Sequence, residues 1–299
     1  MIIKKMFRHK IFNTKESSFM YEKLRKELLD VFEYWENEVQ CEDVMGFSNY
    51  TLKDLIMKMD SFKLYRYTPS DYYGIRNIET QRIYLSNNGV MNDVFEGLPR
   101  ILDNLSYQKV KTLYDLVKMK CFSETKDNVL MWSHYADSSK GICVEYDFSY
   151  LKRDELNILG HLFPVLYTEE RGIDKDIREI IESHKSLNEA IFQDAVYEED
   201  DNYNNILPLF LAKGKAWEYE KEWRILYTKQ QLYENNMLGN SNIDLKCISA
   251  VYLGYRIDDE KREHIVEICK RLGKMNKPVS VYQAKLNCCK YEFVFDKIL

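Results

Sequence analysis

Gly141-Ile142-Cys143-Val144-Glu145-Tyr146-Asp147 is the clearest strand in the chain. Its β-branched and aromatic residues run almost unbroken from a glycine to an aspartate, the residue types that bound a buried strand. Working outward, Phe62-Lys63-Leu64-Tyr65-Arg66-Tyr67 alternates, is rich in aromatics and reads as a second strand ended by the turn Thr68-Pro69. Arg82-Ile83-Tyr84-Leu85 is a third, closed by the turn-forming Ser86-Asn87-Asn88-Gly89. Further strands are expected at Lys120 to Ser123, Phe163 to Thr168, Glu222 to Tyr227, Leu245 to Leu253, Val279 to Leu286 and Tyr291 to Phe295. Irregular helices separate them, which favours an α+β fold with a mixed, mainly antiparallel sheet over a doubly wound one.

The helical segments are read from apolar spacing. Leu24, Leu28, Phe32, Trp35 and Val39 give an amphipathic helix between about Ser18 and Gln40, and a short helix follows near Leu52 to Met59. Leu98 to Met119 is also expected to be helical, as is Asn128 to Ala136, with Asp127 as its cap. Asp258 to Leu272 carries Ile265, Ile268, Cys269 and Leu272 on one face, with Gly273 where a helix C-cap is expected. Residues 1–60 are thus a helical segment, and 61–299 a single α+β domain with a charged helical insertion at about 169–213.

Composition limits the function classes. A net charge of −5 argues against a protein that grips nucleic acid by charge alone. No stretch is apolar enough for a signal peptide or a membrane span, so a cytoplasmic location is expected. The 7 cysteines include no Cys-x-x-Cys pair, and the 5 histidines show no ligand spacing. No metal site is expected, and Cys121 and Cys143 read as small core residues. No glycine-rich fingerprint follows a strand, which weighs against redox catalysis with a dinucleotide. A metal nuclease is disfavoured by Lys221 standing directly beside Glu220 in the wrong alternation.

Four polar-aromatic islands remain. Tyr65-Arg66-Tyr67 offers a guanidinium fork for a phosphate or carboxylate between rings that can stack, or is simply an alternating strand. In Ser86 to Glu96, Asn92 and Asp93 either cap a helix or leave its amides facing an anion. Met131-Trp132-Ser133-His134-Tyr135 places a titratable histidine on a short helix, where a satisfied core histidine is the plain alternative. Trp217-Glu218-Tyr219-Glu220-Lys221-Glu222-Trp223-Arg224 puts Glu220, Glu222 and Arg224 on one face if extended. That segment is either a carboxylate site beside a cleft or an edge strand whose charges discourage aggregation.

Together the islands resemble the bacterial family called domain of unknown function two-nine-seven-one. The resemblance rests on Leu64 to Tyr67, Ser86 to Glu96, Met131 to Ala136 with Lys140-Gly141, Trp217 to Arg224, and Val251-Tyr252-Leu253-Gly254. It runs from about Phe62 to the C-terminus, and Val94 stands where the family's loop has proline. More remotely, the Glu220-x-Glu222 strand is similar to that of ADP-ribosyltransferases. This analogy implies NAD as co-substrate, Glu222 as the catalytic carboxylate with Glu220 as helper, Arg66 and Asn92 holding the dinucleotide, and Tyr135 stacking on nicotinamide. The candidate catalytic set is then Glu222, Glu220 and His134. The candidate cofactor-binding set is Tyr65, Arg66, Ser86, Asn92, Asp93, Tyr135 and Arg224. The expected activity is transfer of ADP-ribose to a nucleic-acid or protein acceptor, as a toxin or anti-phage effector. The alternative is a non-catalytic ligand- or partner-binding module of a defence system.

Overall fold

The computed structural model describes residues 60–87, 91–93, 95–96, 117–151, 158–169, 210–228, 231–232, 241–275 and 277–299. The expected N-terminal helices, most of the helix expected from Leu98 and most of the insertion lie outside them.

The opening strand forms as expected, β5 at Ile142–Asp147, and stands in the middle of the main sheet. The other strands of that sheet are β1 (Lys63–Thr68), β3 (Ser86–Asn87), β4 (Val117–Ser123), β6 (Leu162–Pro164) and β9 (Glu222–Thr228). β11 (Ile248–Leu253), β12 (Ser280–Leu286) and β13 (Phe293–Lys297) complete it. Their order is β13-β12-β11-β5-β1-β4-β9-β6, with β3 pairing β4. Among the described strands of this sheet, only β11 and β12 run parallel. Two small sheets pair β2 (Arg82–Tyr84) with β10 (Asn242–Asp244), and β7 (Leu166–Thr168) with β8 (Ala212–Gly214). The architecture is α+β, mixed and mainly antiparallel.

Three helices are described: α1 (Tyr72–Thr80), α2 (Val129–Tyr135) and α3 (Asp259–Met275). α1 follows the Thr68-Pro69 turn in a stretch for which no element was expected. It starts because Asp71 Oδ1 accepts the Gly74 N–H at 2.8 Å, and it stops at Gln81, whose backbone is left-handed. The cap of α2 is Asn128, whose side chain accepts the Leu130 and Met131 N–H groups, and Asp127 is exposed. Val117 to Met119 are strand rather than helix, because they complete the ladder with β9. Ala212 and Lys213, expected as the end of the helical insertion, are strand as well, because they pair with β7. Gly273 lies inside α3.

Side chains alternate across the main sheet, so its two faces carry different cores. Leu64, Phe122, Val144, Tyr146, Trp223, Ile225 and Val251 belong to the larger core, under α3 with Ile265, Ile268, Cys269 and Leu272. Tyr67, Cys143, Ala250 and Tyr252 point the other way and pack with Met131 and Trp132 of α2. No helix among the described residues is long and apolar enough to cross a membrane.

The turn after α2 is tied to the end of β11. Asp137, Ser138 and Ser139 all have positive φ, and the Arg256 and Gly254 N–H groups donate to Ser139 O and Gly141 O at 2.9 Å. A Cβ at Gly254 would lie 2.3 Å from Ser139 O and 2.6 Å from Gly141 O. Gly254→Ala is therefore expected to cost about 1–3 kcal/mol by overpacking. A urea midpoint equal to that of the parent protein would show that the turn yields freely.

Candidate functional site

The fourth island does not run extended. Lys215–Glu220 is a 3-10 turn, and Lys221 has φ 44°, so the chain reverses before β9 begins. Glu220, Glu222 and Arg224 nevertheless converge, because all three meet around the ammonium of Lys213 or the carboxylates bound to it. β9 lies between β4 and β6. The charges of this island are therefore interior, and the edge-strand explanation does not hold.

The Arg224 guanidinium is fully buried. Nε and Nη2 donate to Glu222 Oε1 and Oε2 at 2.8 and 2.9 Å, Nη1 donates to Phe210 O, and Nη2 also to Glu96. Lys213 Nζ lies 2.5 Å from Glu220 Oε2, 3.0 Å from Glu222 Oε2 and 3.9 Å from Glu96 Oε2. Its charge also sits 5.0 Å from the Trp217 ring centre. Trp223, the second tryptophan of the island, lies on the opposite face in the larger core.

Three carboxylates against two cations leave one negative charge in excess when all are ionised. The environments divide the acids. Burial alone would push Glu222 up, but Arg224 and Lys213 overcome it and hold its carboxyl well below the usual range. Burial, with the charge of Glu222 added, pushes Glu220 up. Glu96 is raised by burial too, despite Arg224. Cys121, expected as a core filler, lies beside Glu222 in hydrogen-bonding reach, its thiol pushed well up by burial.

The rim is formed by the second and third islands. Tyr135 of α2 donates its phenol to Glu220 Oε1 at 2.5 Å, and the Asn92 side chain is within hydrogen-bonding reach of that phenol. Ser123 Oγ donates to Glu220 O at 2.7 Å, and Asn128 Nδ2 to Tyr219 O at 2.8 Å. These bonds lock the helix and the turn together. Asp93 accepts the Phe95 N–H and adds a negative charge near Glu96. His134 is exposed, with its ring 6.3 Å from Tyr135 and 6.5 Å from Tyr219, and it reaches none of the carboxylates. Tyr65 shares the row Glu222–Ser123–Tyr65 across β9, β4 and β1, and its ring meets Tyr252 edge-on at 6.2 Å.

Two candidates fall elsewhere. Arg66 alternates with Tyr65 and Tyr67, so it projects from the opposite face with Leu64 and shares no cleft with Glu220. Ser86 sits in β3 opposite Met119 and makes none of the cluster's bonds. Sequence reading overlooked Lys213, for which no local pattern exists, and left Glu96 without a role. Glu145 was legible as a carboxylate inside an apolar strand. It is buried and held by Lys63, Ser249 and Tyr252. Among the described residues no group of three or more His, Cys, Asp or Glu side chains is placed to hold a metal ion.

Residues 131–225 match the model of a family described as "Protein of unknown function (DUF2971)". The match takes in α2 from Met131 onward, Lys213 and the Glu220 to Arg224 segment, so the family resemblance read from the motifs is borne out there. No curated protein and no solved structure matches the chain.

Proposed function

We propose that this chain, which carries the unknown-function family's signature over residues 131–225, is an ADP-ribosyltransferase-like enzyme using NAD, with Glu220 as the carboxylate presented to substrate. The observation that carries the reading is the placement of Glu220. Both carboxyls are nearly buried, but Glu220 Oε1 is bonded to the phenol of the half-buried Tyr135, while Glu222 is bonded to Arg224 and Lys213 with Cys121 beside it. Glu222 is then a positioning residue, which exchanges the roles expected from the sequence.

The chemistry suits an acidic floor. In NAD the bond between ribose C1′ and the nicotinamide nitrogen breaks, its electron pair returns to the ring, and neutral nicotinamide leaves. Positive charge gathers on the ribose, and the excess negative charge of the cluster favours that state over the ground state. An oxygen or nitrogen of the acceptor, in a nucleic acid or a protein, bonds to C1′ and releases its proton to solvent. In this reading the Tyr135 ring and the Asn92 amide, both beside Glu220, receive nicotinamide. Tyr65 lies further along the same face for the remainder of the dinucleotide.

One observation favours the second reading, a non-catalytic binding module. Glu220 is only 2% exposed and is already bonded to Tyr135 and Lys213. Turnover separates the two. Incubation of the purified protein with labelled NAD and cell extract is expected to release nicotinamide and to label an acceptor. NAD bound without consumption supports the binding module, and neither binding nor consumption overturns the role of NAD.

A further inference from the structure

The face of the main sheet opposite Glu220 carries two cations that form no ion pair with a carboxylate among the described residues. Arg66 of β1 shares that face with Leu64, and Lys120 of β4 shares it with Phe122. Every residue of β1 pairs with β5 and every residue of β4 pairs with β9, but β1 and β4 are joined by a single registered pair, Tyr65 and Ser123. Arg66 and Lys120 therefore stand near each other on the two strands where the ladder between them stops. Both are half-buried. Neither has a hydrogen-bond or ion-pair partner among the described residues. Among the described residues, the other charged or titratable groups acting on them are Asp71, Tyr146 and Cys121. Asp71 Oδ1 is engaged as the cap of α1. Lys118, one turn of the alternation away on the same side of β4, donates its ammonium to Asn87 Oδ1.

This arrangement contrasts with three cations of the opposite face. Lys213 and Arg224 are surrounded by carboxylates, and Lys63 is paired with Glu145 at 2.8 Å. Two half-buried like charges side by side cost free energy unless an anion meets both. A guanidinium fork beside a mobile ammonium matches a phosphoryl group, with bidentate bonds from arginine and a point charge from lysine.

We infer that Arg66 and Lys120 form a binding site for a phosphoryl oxyanion, either free phosphate or the phosphate of a nucleotide, on the face of the sheet opposite the Glu220 cluster. The site is independent of the proposed NAD chemistry. Burial, with the charge of Arg66 beside it, brings the Lys120 ammonium down to about 7. At pH 8 the amine is mostly neutral, and an arriving anion favours its protonation, so binding takes up a proton from solution.

Calorimetric titration of the full chain with pyrophosphate, inorganic phosphate and ADP at pH 8, in two buffers of different ionisation heat, tests this. The expected result is saturable binding with uptake approaching one proton. Lys120→Met should abolish the proton uptake and weaken binding at least tenfold. Arg66→Lys, which keeps the charge but loses the fork, should weaken binding less than Arg66→Met does. ADP binding much tighter than phosphate identifies a nucleotide, and equal affinities identify free phosphate. Absence of saturable binding at millimolar anion, or Lys120→Met binding and proton uptake equal to wild type, overturns the site. Because Lys120→Met removes a half-buried charge, that variant is expected to fold even if Arg66→Met does not. NAD turnover should be unaltered in Lys120→Met, which separates failure here from failure of the catalytic proposal.

Discussion

Arg224→Met is expected to lower the unfolding free energy by about 3–5 kcal/mol, the range for removing one partner from a buried ionic network. The guanidinium is 0% exposed and binds Glu222 in two places, Glu96 in one and the carbonyl of Phe210. Methionine fills much of the space but leaves Lys213 alone to face three carboxylates. Its nitrogen lies 3.9 Å from Glu96, too far to replace the lost bonds. Urea unfolding at neutral pH measures the loss. The double variant Arg224→Met/Glu222→Gln should recover part of it, since the orphaned charge is gone. A loss in the double variant equal to the sum of the two single losses would remove the pair from the stability argument.

The pH dependence of that loss has a definite sign. Glu222 titrates below its unfolded value, so its contribution is fully present above the ordinary carboxylate range and is lost as pH falls through its folded pKa. Without Arg224 the carboxyl protonates more readily on acidification, which relieves the uncompensated charge. The stability gap between wild type and Arg224→Met should therefore narrow as pH falls from 7 toward 4.

Glu220→Gln is expected to lower NAD-dependent transfer by about 10²–10³-fold, the scale for removing one electrostatic contact to developing charge. Glutamine keeps an oxygen for the Tyr135 phenol, so the rim geometry is preserved. Only ionised Glu220 can stabilise a cationic ribose, and burial together with Glu222 raises its pKa. Wild-type kcat/KM should accordingly rise with pH through a pKa above the usual carboxylate range, and the rise should be missing in Glu220→Gln. Stability moves the opposite way. A carboxyl raised on folding contributes stability that is present below its unfolded pKa and lost as pH climbs through the folded one. Glu220→Gln should thus be at least as stable as wild type at neutral pH. Full transfer activity in this variant, with nicotinamide still released, would remove Glu220 from the reaction.

How far the residues alone lead depends on the range of the forces involved. Alternation and β-branching are local, so Ile142 to Asp147 and Lys63 to Tyr67 were legible as strands, and the spacing of Ile265, Ile268 and Leu272 as a helix. Boundaries failed where a distant partner decided them. Val117 to Met119 are strand because β9 lies beside them, and Ala212 because β7 does. α1 was missed because its start depends on a single capping bond from Asp71.

The chain by itself determined which residue types could form a site: a pair of glutamates near an arginine, and a tyrosine on a short helix. Its motifs grouped Tyr65 and Arg66 in one binding set, although strand alternation sends neighbouring side chains to opposite sides of a sheet. Only the tertiary structure decided that Lys213 stands between Glu220 and Glu222, that Glu222 rather than Glu220 is bound by Arg224, and that Arg66 lies on the sheet face opposite the acidic floor. The reason is electrostatic. The depth at which a charge is buried and the sign of its nearest neighbour depend on contacts between segments far apart in the chain, and those two quantities set whether a carboxylate is a strut or a reagent.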